Sequence, residues 1–279
     1  MNTVLVILSF VAAGGLIALW LWRKCDHRAD LLAMGRLAAT QPLHPQHFEP
    51  AMVDGLPEPA QRYFLYTIAP GTPLYTVVRL EMIGRFGMGD KGKPSYLTMA
   101  ATQVLAPLQG FVWKMSAGRG LMRVSGSDTE RWTRFWLGEL IPVARAGGNS
   151  DHALSAFGRY VAESVFWSPA ALLPRPGVRW DLVDENTARV TVRKDGLEQA
   201  VDVTVAKSGQ PTQVSFLRWS DANPEKLHRF QPFGGYLSEF RDFGGFRLPT
   251  KVEAGNFFGT ADYFPFFLAD ITDLTFPGT

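Results

Sequence analysis

Arg159 and Glu163 lie four positions apart in a stretch with helical spacing, so their side chains can meet. One reading makes Glu163 a general acid or base, or an acid facing a pocket. The other makes the two a solvated surface pair, worth roughly 0.3 kcal/mol. The spacing favours the surface pair, because it sets Glu163 off the apolar stripe of the same helix. Asp181, Asp184 and Glu185 form an acidic cluster at a strand end, read as a solvated turn, with a catalytic pair as the alternative. His44 and His47 stand three apart with Glu49 beside them, but His152 and His228 are far off in sequence and no metal site is assigned. Residues 87–92 fit the dinucleotide-binding pattern letter by letter. That pattern needs a helix whose N-terminus faces the pyrophosphate, whereas Lys93-Pro94 and a strand follow, so a hairpin loop is expected. Ser125-Gly126-Ser127 lacks the upstream glycine of a nucleophile elbow. No catalytic residue and no cofactor is assigned.

The aromatic residues carry a further signal. Phe111 and Trp113 share a strand face, Trp132, Phe135 and Trp136 crowd one short segment, and Tyr160 and Trp167 lie on the helix stripe. Ordinary core accounts for many of them. A single sheet covered by a single helix can nonetheless hold more apolar surface than that helix buries, and the remainder would line a pocket. Phe111, Trp113, Trp132, Trp136, Tyr160 and Trp167 are therefore the candidate ligand-binding residues, with Arg159 and Glu163 as the candidate polar site.

Residues 150–173 must position these groups. Ser150 or Asp151 can cap a helix start. Ala153, Leu154, Phe157, Tyr160, Val161, Val165 and Trp167 recur at helical spacing, and Pro169 ends the regular run. A shorter helix is expected at 56–66. Elsewhere the period is two. Strands are expected at 75–88, 95–105, 109–117, 121–125 and 130–137 before the helix. After it they are expected at 178–183, 187–194, 197–206, 212–220, 236–243, 246–257 and 263–276. Asp195-Gly196 and Gly244-Gly245 mark tight hairpins, which require antiparallel neighbours. The fold class is mainly β (α+β): a large curved antiparallel sheet or half-barrel, covered by a central helix.

The 279 residues are 46% hydrophobic and 13% aromatic, which argues against disorder. Net charge is +2 with no long basic run, so nothing points to nucleic acid. Cys25 is the single cysteine, and no intramolecular disulfide can form. Residues 4–22 are almost wholly apolar and long enough to span a bilayer. A buried helix or a cleaved signal peptide are the alternatives, but the start lacks Lys and Arg, and the run ends in an aromatic LWLW. Three regions follow: a transmembrane anchor with its basic flank at 1–28, a juxtamembrane segment and linker at 29–55, and a soluble half-barrel at 56–279. Residues 30–40 are expected to lie along the membrane surface. Arg23, Lys24, Arg28 and Arg36 all follow the apolar run, a bias that would keep the soluble domain in the cytoplasm.

Five segments in order resemble an uncharacterised family of bacterial membrane-anchored proteins, a domain of unknown function. They are LPEPAQRYFLYTIAPGTP at 56–73, GFVWKM at 110–115, LGELIPVARAGG at 137–148, RYVAESVFWSPAALLPRPGVRW at 159–180 and FRDFGGFRLPTKVEA at 240–254. The resemblance implies a single-pass protein of the bacterial inner membrane and brings no activity. FRDFGGFRLPT at 240–250 and the strand–helix–strand order are more distantly similar to the periplasmic lipoprotein-carrier superfamily. That likeness implies a lipid cavity on the concave side of a half-barrel, and an extracytoplasmic domain. An uncleaved anchor departs from it and favours a fixed, membrane-proximal role.

Three functions are compatible with these features. The first is a membrane-tethered domain binding a lipid or other hydrophobic small molecule, with an apolar cavity under the central helix. The second is a protein-interaction or scaffold domain with a packed core and an exposed apolar patch. The third is an enzyme on lipid-like or envelope substrates, using Glu163 or the Asp181–Asp184–Glu185 cluster.

Overall fold

The computed structural model describes residues 2–278. Helix α1 (Asn2–Ala38) leads to α2 (Glu58–Thr67) and then to six strands. These are β1 (Val78–Asp90), β2 (Lys93–Ala106), β3 (Gly110–Ala117), β4 (Val124–Thr129), β5 (Trp132–Leu137) and β6 (Ile141–Gly147). Helix α3 (Ser150–Trp167) follows, capped by the Asn149 side chain, which accepts from the His152 amide. The second set is β7 (Val178–Leu182), β8 (Thr187–Lys194), β9 (Leu197–Val205), β10 (Pro211–Ser220), β11 (Arg229–Phe243), β12 (Phe246–Asn256) and β13 (Phe264–Thr275).

The strands form one antiparallel sheet of thirteen, in the order β6-β5-β4-β3-β2-β1-β13-β12-β11-β10-β9-β8-β7. Each strand pairs with its successor in sequence except β6 and β7, which are the two edges. β1 and β13 meet in the middle, Leu80 opposite Leu274. The chain must therefore cross the whole sheet between β6 and β7, and α3 makes that crossing over the concave face. α2 lies on the same side, and its Tyr63 hydroxyl donates to the Val165 carbonyl of α3 at 2.5 Å. Residues 87–92 sit at the β1–β2 hairpin, where Asp90 faces Lys93, as the sequence predicts.

Three strands differ from expectation. β4 runs from Val124 to Thr129 rather than over 121–125, because residues 120–122 form a 3-10 turn ahead of it. β6 was not expected, because Pro142 interrupts it; as an edge strand it can do without that amide. β11 begins at Arg229 rather than at 236, its first half disguised by Pro232 and Gly234-Gly235. Here the β12 backbone comes close: a Cβ on Gly235 would lie 1.9 Å from the Glu253 carbonyl oxygen.

Helix α1 has two halves. Its first half is apolar and exposed, with Phe10 75% and Trp20 54% accessible. It is the one helix among the described residues long and apolar enough to cross a membrane. The second half packs on the convex face of the sheet. Met34 and Leu37 bury there with Val77, Val104, Ala106 and Val112, so β3 is covered on both sides. The helix runs unbroken through 28–29, and Met34 and Leu37 of its second half pack on the sheet. The expected linker is also docked. The Gln41 side chain pairs with the Thr76 and Val77 backbone at 2.8–2.9 Å, and Phe48 is fully buried.

Candidate functional site

Alternation along the strands decides which side chains face α3. On β3 these are Trp113, Met115 and Ala117; on β5, Thr133 and Phe135; on β10, Val214, Phe216 and Arg218. Across from them α3 presents His152, Ala156, Arg159, Glu163 and Trp167, one stripe at helical spacing. Sheet and helix enclose a cavity of about 590 Å³. Its walls are mainly apolar and aromatic, and its volume falls within the roughly 300–1,000 Å³ of small-molecule sites.

The cavity stripe of α3 is not the stripe recognised in the sequence. Phe157, Tyr160, Val161 and Val165 pack into the main core. The helix thus has a second buried face, and Glu163 lies on that one. Glu163 is consequently no solvated surface pair, as its position off the first stripe had suggested. Its side chain is 12% exposed, and Arg159 donates to it at 2.7 Å. Arg159 also donates to Asp128 at 2.7 Å. Gln103, fully buried on β2, donates to Glu163 at 2.6 Å, and the Thr133 hydroxyl donates to Asp128. Burial opposes the Arg159 charge, but Glu163 and Asp128 outweigh it and raise the guanidinium pKa. Both carboxylates are engaged by Arg159 and one neutral donor each, an arrangement that fixes geometry and leaves little freedom for proton transfer.

Arg218 is different. Its guanidinium lies 5.0 Å from the Phe233 ring centre. Its Nε is buried without a hydrogen-bond partner, and it forms no ion pair among the described residues. Burial, and then the Arg159 charge, push its pKa down to about 10, against the pull of Asp128, Glu163 and Asp221. It remains a cation at neutral pH. The indole nitrogens of Trp113 and Trp167 are likewise buried and unpartnered.

The residues suggested by sequence separate into three groups. Trp113, Trp167, Arg159 and Glu163 line the cavity. Phe111 and Tyr160 lie in the packed core, Phe111 beneath the Arg159 guanidinium at 4.6 Å and Tyr160 against Phe157 at 5.1 Å. Trp132 and Trp136 face the convex side. The Trp132 indole donates to Ser127, and the Trp136 indole donates to Asp26 of α1. Their neighbour Phe135, of opposite parity on β5, points into the cavity. Asp181, Asp184 and Glu185 sit at the β7 edge; Asp181 pairs with Arg179 at 3.1 Å, and none of them reaches the cavity. Asp128, Gln103 and Arg218 were not anticipated. Their signal was parity: each is a polar residue at a core position of its strand.

One end of the cavity lies beside the β3–β4 turn. Ala117 and Val124, which flank the β3–β4 turn, line it. In that turn Leu121 and Met122 are 87% and 70% exposed. Arg23 donates to Ser125 at 3.1 Å just beyond the turn, while Asp30 accepts from Ser127 deeper in the sheet. The bare apolar half of α1 therefore leaves the domain at this end.

The model of a family of unknown function, DUF6544, matches residues 46–268. No curated protein matches the chain. The fold is similar to that of a LolA superfamily protein from Nitrosomonas europaea, with TM-score 0.37 and 10% identity over 78% of this chain and 91% of that one. It is also similar to a DUF1329 family protein from Desulfovibrio piger, with TM-score 0.35 and 14% identity over 88% and 92% of the two chains.

Proposed function

For this chain, which belongs to the DUF6544 family of unknown function, we propose a role as a membrane-anchored binding protein for a lipid or other hydrophobic small molecule. The observation that carries this is the cavity of about 590 Å³ between α3 and the concave face of the sheet. Burying apolar groups of a ligand against such walls is worth about 25 cal/mol per Å². The few polar groups are gathered on α3, β4 and β10, where they would set the orientation of what binds. Residues 4–22 of α1 would lie in the bilayer, and the β3–β4 turn with Leu121 and Met122 would meet its surface. A ligand could then pass between membrane and cavity without crossing bulk water.

The test is native mass spectrometry of the full chain released from neutral detergent. The expected result is one lipid or other apolar molecule retained per chain, and its loss in Ala162→Trp, which fills the cavity from α3. Equal retention by both proteins, or none by the unmodified chain, would overturn the proposal.

A further inference from the structure

The cavity's polar atoms are not balanced. Trp113, Trp167 and Arg218 line it, and among the described residues their nitrogens Trp113 Nε1, Trp167 Nε1 and Arg218 Nε are buried without a hydrogen-bond partner. All three are N–H donors. The carboxylates there are already engaged: Asp128 and Glu163 are held by Arg159, Thr133 and Gln103. A buried donor without a partner is destabilising, and more so when charged. The surface is thus poorly matched to a pure hydrocarbon and well matched to a hydrocarbon carrying acceptors.

Among the donors Arg218 is the charged one. Arg159 stands on the same cavity wall and is neutralised twice over. Arg218 lies against the Phe233 ring and, among the described residues, makes no ion pair. Its forked donors suit a planar or tetrahedral oxyanion, and the aromatic walls beside it suit an alkyl chain.

We propose that the ligand is an amphipathic molecule with an anionic head, carboxylate or phosphate, and that Arg218 is the residue that pairs with the head while the chain lies along the aromatic wall. This rests on the cavity being a site for apolar molecules, and the experiment separates the two.

The full chain in neutral detergent is loaded with a fluorescent alkyl probe, and displacement is measured with hexadecanoate, hexadecyl phosphate and hexadecanol. These share one chain and differ in the head. Wild type should bind at least one of the two anions roughly tenfold to a hundredfold more tightly than the alcohol, the range of a charge-assisted hydrogen bond. The tighter anion identifies the head. In Arg218→Met the preference should collapse while hexadecanol binding holds, and Arg218→Lys should keep part of it. If wild type takes all three equally, the anionic head is wrong and the apolar site stands. If the preference survives in a folded Arg218→Met, Arg218 is not its source. If none of the three displaces the probe, the cavity reading falls and this inference with it.

Discussion

Arg145 donates to both carboxylate oxygens of Asp26, at 2.5 and 3.1 Å, and so ties the edge strand β6 to helix α1. Arg134 at 3.2 Å and the Trp136 indole at 2.9 Å complete the cage. Asp26 is 4% exposed. The helix that carries the bilayer-length segment is thereby tied to β5 and β6 at one edge of the sheet.

Asp26→Asn should leave two guanidiniums facing each other without a counter-charge. A loss of roughly 3 kcal/mol in denaturant unfolding is expected, the cost of breaking a buried pair from one side. Hydrogen exchange should quicken first in β5, β6 and residues 23–38. A change confined to the β7–β9 edge would contradict this coupling.

Glu130 offers a pH test. Burial raises its carboxyl above the usual 4.5, and its Oε2 has no donor. Between the unfolded and the raised folded value the folded chain binds more protons, so stability falls as pH rises through that window. Glu130→Gln should therefore melt higher than the parent at about pH 7 and equal to it below about pH 4. Parallel melting curves at every pH would refute the shift.

Gly235 faces the β12 backbone, with the Glu253 carbonyl oxygen 1.9 Å from where a Cβ would stand. Gly235→Ala must push β11 and β12 apart. An expected loss of about 1–3 kcal/mol, typical of overpacking, would be read by thermal unfolding. Because Gly235 also lines the cavity, probe affinity should fall as well.

Trp113 and Trp167 are 3% and 1% exposed, yet each has an edge on the cavity. Truncation to Ala should cost near the lower end of the usual range for buried Trp, about 3 kcal/mol, since part of each ring already borders open space. Retention of an apolar probe should drop at temperatures where both variants remain folded. Stability loss with unchanged retention would make them core alone.

Much of the fold is local and could be read directly. Alternation gives the strands, Asp195-Gly196 and Gly244-Gly245 give the hairpins, and the 3.6-residue stripe gives α3. Residues 4–22 declare a helix of bilayer length by composition. These signals are legible because each depends on neighbours within a few positions. β6 escaped because Pro142 breaks the local pattern, and only its place at the sheet edge makes the proline harmless.

The site was legible in part. Trp113, Trp167, Arg159 and Glu163 were picked out by residue type, but parity says which side chains share a face and not what covers that face. Trp136 and Phe135 are adjacent aromatics with equal claims in the sequence; the placement of α1 and α3 on opposite sides of the sheet sends one to Asp26 and the other to the cavity. Glu163 reads as polar surface until the sheet beneath α3 encloses it. That enclosure depends on pairings between residues far apart in the chain, such as β1 against β13. The sequence by itself determined the elements and their order; the tertiary structure decided which of their faces meet, because a second buried face on a helix exists only once another element has closed over it.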